Sequence, residues 1–167
     1  TGSDNVAVGS ATLETITTQS ANTAVGDRAL RANEAASNTA VGYFALDANT
    51  TGTQNTAVGS VALDANTTGN FNVACGQAAL GANTTGSQNV AVGQAALRNN
   101  TTASNNIGIG ISALDANTTG ASNTAVGAFS LKSVTTGQQN SALGRGALSD
   151  NTGSSNTAVG YNALTSN

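Results

Sequence analysis

Residues 55–71 read NTAVGSVALDANTTGNF, and versions of this phrase recur ten times along the chain. Each copy begins with Asn, which we number position 0, and carries Gly at position 4 and Leu at position 8. The copies begin at Asn5, Asn22, Asn38, Asn55, Asn72, Asn89, Asn106, Asn123, Asn140 and Asn156. They are 17 residues apart except for two steps of 16. A short fixed period predicts one structural unit stacked on itself.

Positions 1 to 3 predict a short β-strand. Position 1 is Thr or a β-branched apolar residue in nine copies, position 2 is Ala in nine, and position 3 is Val in most. These are strand formers in alternation, whereas the recurrent Gly at position 4 costs a helix about 1 kcal/mol per copy. We expect the position 3 side chain to face the core and the Ala at position 2 to face outward. The expected core residues at position 3 include Val25, Val41, Val58, Cys75 and Val92.

The rest of each copy predicts a corner, a second strand and a loop. The Gly at position 4 marks a corner, either because φ is positive there or because a neighbouring backbone comes too close for a Cβ. The corner glycines include Gly26, Gly42, Gly59, Gly76 and Gly93. A small residue and Leu follow, and we interpret them as a second strand with Leu inward. These leucines include Leu30, Leu46, Leu63, Leu80 and Leu97. The Asn-Thr-Thr-Gly segment after them has the residue types of a turn.

Together these segments predict an all-β fold, a parallel β-roll or β-solenoid. It has about ten coils of 16–17 residues with two short strands per coil, in a single domain over residues 1–167. Coils that rise by about 4.8 Å make a rod of roughly 47 Å. The Asn at position 0 is expected to form a hydrogen-bonded ladder along the rod. A second Asn column at position 11 is broken by Ile16 and Val134.

The expected outer face of small Ala side chains predicts close packing of further copies side by side. Three-fold closure would bury this face on every copy, so we expect a homotrimer. Both ends of the sequence match the interior of a repeat, so we expect an excerpt of a longer fibrous chain.

The Asn-Thr-Ala-Val-Gly phrase with its glycine corner resembles the head repeats of trimeric autotransporter adhesins of the YadA type. With its Asn-Thr-Thr-Gly loops it also resembles repeat stretches of phage tail-fibre-like surface proteins. The resemblance implies a left-handed roll, a homotrimer, and an extracellular location on a bacterial surface or a virion. The repeats here are longer than the typical adhesin repeat, and the extra residues fall in the loop.

The composition argues against catalysis, cofactors and metal binding. The chain has no His, so it lacks the residues of a Ser-His triad or a His metal site. Asp47 and Asp64 follow Leu in adjacent coils and could form a carboxylate pair for glycoside cleavage or a hard cation, although solvated surface acids are the favoured interpretation. A net charge of −3 gives no basic surface for nucleic acid, and no apolar run is long enough for membrane insertion.

These patterns predict a structural and adhesive rod that is not an enzyme. Its expected partners are further copies of itself and a host-cell surface, matrix or glycan. The residues singled out for surface contact are Tyr43, Tyr161, Thr51, Thr68 and Thr85. The aromatic residues could be sugar-stacking platforms or interface packing, and we favour packing.

Two alternatives concern the loops. The threonine columns could bind ice as a flat ladder. The Asn-x-Thr sequences at Asn49, Asn66, Asn83, Asn100 and Asn117 are glycan acceptors in a secreted eukaryotic protein and turn asparagines in a bacterial or viral one.

Overall fold

A computed structural model describes residues 2–166 and contains ten short parallel strands in one sheet. The strands are β1 (Val6–Val8), β2 (Thr23–Val25), β3 (Thr39–Val41), β4 (Thr56–Val58), β5 (Val73–Cys75), β6 (Val90–Val92), β7 (Ile107–Ile109), β8 (Thr124–Val126), β9 (Ser141–Leu143) and β10 (Thr157–Val159). Strand order in the sheet equals chain order, and pairing joins identical repeat positions, as in Ala57 with Ala74. This confirms the all-β parallel β-solenoid. Within residues 2–166 no helix is long and apolar enough to span a membrane.

Hydrogen bonds between coils run around much of the perimeter of each coil, well beyond the strands. In the strand, the Thr56 amide donates to the Asn72 carbonyl at 2.8 Å. In the Leu segment, the Leu63 amide donates to the Ala79 carbonyl at 3.0 Å. In the loop, the Thr67 amide donates to the next threonine carbonyl of that column at 2.9 Å. Stacking therefore satisfies backbone groups even where the chain is not in a strand.

The strand faces inward with its alanines, so the predictions that position 3 lies in the core and that the alanines form an outer face were both wrong. In β2–β10, Ala57 and its equivalents at position 2 are buried, whereas position 3 is exposed or half-buried, with Val58 38% exposed. The same correction applies to the other predicted core residues at this position, Val25, Val41, Cys75 and Val92. The reason is space, since a Cβ built on Gly108 at position 2 would lie 3.2 Å from Cγ of Leu97. The leucines already fill the interior, so only a methyl group fits opposite them.

The predicted second strand is absent, and a run of turns carries the leucines. Leu30, Leu46, Leu63, Leu80 and Leu97 are all fully buried, which confirms their place in the core. However, Val61 and Leu63 both have φ of +50°, in the left-handed region. The Ala62 amide donates to the Gly59 carbonyl at 3.4 Å and the Asn66 amide to the Leu63 carbonyl at 3.1 Å. Alternating φ signs remove the two-residue alternation of a strand, so Ala62 and Leu63 are both buried.

The corner glycines are required for both of the predicted reasons. Their φ values are positive, for example +129° at Gly26 and +139° at Gly76. A Cβ on Gly76 would lie 2.6 Å from the carbonyl carbon and oxygen of Gly93 in the next coil. The same conformation is present at the other predicted corners, Gly42, Gly59 and Gly93.

The Asn side chain at position 0 closes its own coil and binds the next one. Nδ2 of Asn55 donates to the Gly69 carbonyl at 2.8 Å, fourteen residues along the same coil. Oδ1 of Asn55 accepts the Asn72 backbone amide at 3.0 Å. The predicted ladder is thus confirmed. Its rungs join side chain to backbone, and some also join side chain to side chain, as where Nδ2 of Asn72 donates to Oδ1 of Asn55 at 3.1 Å.

The second Asn column lies beside the first and shares its acceptor. Nδ2 of Asn66 donates to Oδ1 of Asn49 at 2.8 Å and to the Gly69 carbonyl at 3.1 Å. The column is interrupted at the buried Val134, whose side chain has no amide group that could donate a hydrogen bond. Oδ1 of Asn117 is consequently buried without a hydrogen-bond partner.

Enlarging a side chain tests which strand face is inside. We expect Ala57→Val to lower the free energy of unfolding by about 1–3 kcal/mol, because it overpacks the space beside the leucines. The nearby control Ser60→Thr adds volume at an exposed position off the sheet and should change stability by less than about 0.5 kcal/mol. Urea denaturation measures both. Equal tolerance of the two changes would contradict the inward position of the alanines.

Restoring the second Asn column should stabilise the rod. In Val134→Asn the new side-chain amide can donate to Oδ1 of Asn117 and to the Gly137 carbonyl. We therefore expect the free energy of unfolding to rise by about 1 kcal/mol. The reverse change, Asn66→Val, should cost about 1–3 kcal/mol because it leaves Oδ1 of Asn49 unsatisfied. Thermal denaturation of both variants beside the parent checks the signs. A loss in Val134→Asn as large as that in Asn66→Val would refute the ladder explanation.

Candidate functional site

The outward side of the sheet forms one continuous uncharged surface, which we call the strand face. It consists of the side chains at positions 1 and 3 of β1–β10, all of them Val, Ile, Leu, Thr, Ser or Cys. Val159 is 69% exposed and Ile109 39%. Nine strand spacings give a length of about 43 Å, and two side-chain columns give a width of roughly 10 Å. An area on the order of 400 Å² equals that of the largest apolar patch on a typical monomer, and such patches commonly mark interaction sites.

Cys75 lies within the strand face and carries an exposed free thiol. We expected it to replace a buried Val, and this was wrong for the same reason as for its column. Its neighbours in the column are Val58 and Val92, with which it shares the register of β4–β6. The labelling rate of the Cys75 thiol therefore indicates whether another molecule covers the strand face.

The loop threonines form two columns with different roles. Thr51, Thr68 and Thr85 are exposed, as expected for surface contact. In the adjacent column each hydroxyl binds the next coil, since Oγ1 of Thr50 donates to the Thr67 carbonyl at 3.0 Å and Oγ1 of Thr67 to the Thr84 carbonyl at 3.0 Å. Only one column therefore presents unengaged hydroxyls to water.

The two acids that follow Leu in adjacent coils have different surroundings. The Asp47 carboxylate is buried and bound by two guanidinium groups, from Arg31 at 2.8 Å and from Arg28 at 3.2 Å. Burial raises the pKa of Asp64, against backbone hydrogen bonds from its own amide and that of Ala65. The structure thus places Asp47 in a buried ion-pair cluster, so the favoured interpretation of a solvated surface acid was wrong for this residue. Within the described residues no group of three or more His, Cys, Asp and Glu could hold a metal ion.

The two tyrosines singled out for surface contact are exposed but do not share a site. Tyr43 is 54% exposed and packs on Phe44 with ring centroids 4.3 Å apart, and Arg28 lies 4.0 Å from the Phe44 centroid. Tyr161 is 71% exposed and lies in the tenth coil. Tyr43 lies in the third coil, so seven coil-to-coil steps separate the two tyrosines, which corresponds to about 34 Å.

A cluster that we had not predicted surrounds Tyr161 at the last three coils. Arg145 lies 5.6 Å from the Tyr161 ring centroid and 5.7 Å from that of Phe129, and Lys132 lies 5.6 Å from Phe129. In linear sequence these residues look scattered. Aligned on the repeat they occupy positions 5, 6 and 9 of consecutive coils, and that alignment could have revealed the cluster.

The Asn-x-Thr asparagines are buried. Asn49, Asn66, Asn83, Asn100 and Asn117 have no exposed surface. Their amides donate within the second Asn column, as described above for Asn66. Because the acceptor nitrogen is already engaged in the core, the turn interpretation fits the folded chain and a glycan does not.

Comparison of the chain with protein-family models, with curated proteins and with solved structures finds no match.

The raised pKa of Asp64 predicts a dependence of stability on pH. A raised pKa in the folded state means that the ionised form is disfavoured there, so the charge destabilises the fold at neutral pH and protonation removes this cost. Asp64→Asn should therefore raise the free energy of unfolding at pH 7, and with it the melting temperature. Solvent screening keeps the gain in free energy well under about 1 kcal/mol. This gain should vanish below pH 3.8, the ordinary pKa of the carboxyl, where Asp64 is protonated in both the folded and the unfolded chain. Asp27→Asn, at an exposed position, is the matched control in calorimetry at pH 3 and pH 7.

Proposed function

We propose that this chain is a structural and adhesive segment of an extracellular fibre, built as a homotrimer whose copies pack through their strand faces. The observation that carries the proposal is the strand face itself, an uncharged surface as long as the rod in which six of the twenty side chains are Thr or Ser and the others are Val, Ile, Leu or Cys. Its area on the order of 400 Å² is about half of the roughly 800 Å² that each partner buries in a standard interface. Phe71, Tyr43 and Ile111 are further exposed apolar residues.

The repeat favours a second copy as the partner of the strand face. Every coil presents the same two columns of similar side chains at the same rise, so an identical copy in the same orientation meets like residues along the whole length. A closed point group then covers the face on all copies and leaves none for further growth. Three copies are favoured over two by the resemblance to the adhesin head repeats, which also carries the proposed location on a bacterial surface or a virion.

Stiffness supports the role of a rod. Backbone bonds join the coils around much of each coil, and the two Asn columns add side-chain bonds along the same axis. The unpaired strand edges are confined to β1 and β10 among the described residues. A long thin body of this kind can hold a binding surface away from the particle that carries it.

Mass measurement tests the interface directly. Analytical ultracentrifugation at micromolar concentration should give three times the chain mass of 16.2 kDa. The double variant Val58→Lys with Ile109→Lys should sediment as a monomer, because buried unpaired charges are costly. The matched control Thr68→Lys with Thr119→Lys, on the exposed loop column, should remain a trimer. A monomeric or dimeric parent chain would overturn the proposal.

Labelling of Cys75 gives a second readout that does not depend on mass. In the parent chain a maleimide should react slowly with the covered thiol, and in the strand-face double variant it should react at the rate of an exposed one. Circular dichroism verifies that both variants keep the fold. Fast labelling of the parent chain would place its partner elsewhere than on the strand face.

Ice binding is the second candidate, and the exposed column that includes Thr51, Thr68 and Thr85 favours it. In the neighbouring column the threonine hydroxyls donate to carbonyls of the next coil, so one column of threonines is left to order water. A thermal-hysteresis measurement at millimolar protein decides it, since an ice-binding rod shows hysteresis and a purely structural one does not.

A further inference from the structure

The cluster at the last three coils borders a cleft of about 340 Å³. Phe129, Lys132, Arg145 and Asp150 line it, together with Gly146, Ser149 and Asn162. Gly146 stands at position 6, where the neighbouring coils carry Phe129 and Asn162, and its φ of +67° and the nearby Asn162 side chain leave no room for a larger residue there. This volume is at the lower end of the range of about 300–1,000 Å³ for small-molecule sites.

The cleft concentrates the positive charges that have no carboxylate partner. Three of the five cations in the chain are used in ion pairs, since Arg28 and Arg31 bind Asp47 and Arg98 binds Asp115 at 3.0 Å. Within residues 2–166 the other two, Lys132 and Arg145, have no carboxylate oxygen within 4.0 Å, and both line this cleft.

The acids nearest to these cations leave a net positive charge. Asp150 lines the cleft and opposes two cations with one negative charge. Asp115 precedes Lys132 by one coil at position 9 and is already held by Arg98. In a chain of net charge −3 the cleft is thus a local site of positive charge that can take an anion.

Aromatic rings hold the cations in place beside apolar surface. The Arg145 guanidinium lies between the rings of Phe129 and Tyr161, at 5.7 and 5.6 Å from their centroids, and its Nη1 donates to the Tyr161 hydroxyl at 3.2 Å. Lys132 reaches over the Phe129 ring from the other side of the cleft at 5.6 Å. A planar guanidinium suits a two-oxygen anion, and an exposed ring suits the apolar C–H face of a pyranose.

We propose that this cleft binds the carboxylate of an acidic sugar, a uronate unit of a glycan. Arg145 and Lys132 take the carboxylate, and Phe129, the aromatic ring that lines the cleft, supports the sugar ring. Tyr161 holds the Arg145 guanidinium in place from outside the cleft lining. The inference deepens the adhesive part of the proposed function by naming a ligand class. It does not depend on the trimer, because the cleft is formed by the last three coils of one chain.

Binding of glucuronate to the intact chain tests the site. It is measured by isothermal titration calorimetry and by NMR chemical-shift changes. Glucose is the matched probe, since it has the same ring without the carboxylate and should not bind detectably. We expect glucuronate affinity on the order of millimolar. The affinity for glucuronate should fall at least tenfold in Arg145→Gln and in Lys132→Gln. The affinity of the parent chain should also fall when salt is raised from about 50 to about 500 mM. Asp150→Asn should strengthen binding, because it removes the opposing charge.

Arg31→Gln is the control variant, because it removes a cation of the second coil, far from the cleft, while Arg28 still pairs with Asp47. It should leave glucuronate binding unchanged. Equal binding of glucose, equal binding of inorganic phosphate or of a nucleoside monophosphate, or unchanged affinity in Arg145→Gln would overturn the assignment. Binding by a monomeric chain overturns only the trimer proposed above. A trimer that binds no glucuronate overturns only the cleft.

Discussion

The fold depends on a constraint carried by one side chain per coil. The Asn at position 0 must reach the carbonyl that closes its own coil and, with its other atom, the backbone amide of the next coil. Meeting both conditions at once fixes the distance from strand to loop and the height between coils. The two shortened repeats obey it, since Asn22 reaches the Ala35 carbonyl at 2.9 Å across the shorter loop. Loop length can therefore vary while the stacking register stays constant.

A narrow interior follows from this closure and decides where apolar residues go. Leu at position 8 fills the space, the alanines at positions 2 and 7 pack against it, and the Asn columns occupy the loop side. The branched residues of the strand are left outside, so the rod has a core of small and medium side chains and an apolar exterior on one side. That inversion connects the packing to the proposed association, because burying the strand face requires another molecule.

Departures from the repeat carry the chemistry of the surface. Positions 5, 6 and 9 vary from coil to coil, whereas positions 0, 4 and 8 do not. Phe129 and Lys132 in one coil and Arg145 and Gly146 in the next change two successive coils and line a cleft. The ion-pair cluster around Asp47 is a similar local change, but there the charges neutralise one another. Uniform coils supply the scaffold, and local exceptions supply candidates for specificity.

A strict repeat brings identical positions together in any solenoid, so the parallel stacking, the register and both Asn columns could be predicted from the sequence, as could the corner glycines and the inward leucines. Which side of the strand faces inward could not, since that depends on the width left beside the leucines in the folded chain. The conformation around Leu63 was equally hidden, because Val and Leu ordinarily avoid positive φ and nothing in their order indicates it. The cleft likewise required coils to be placed beside one another, since residues 129, 132 and 145 meet only through stacking.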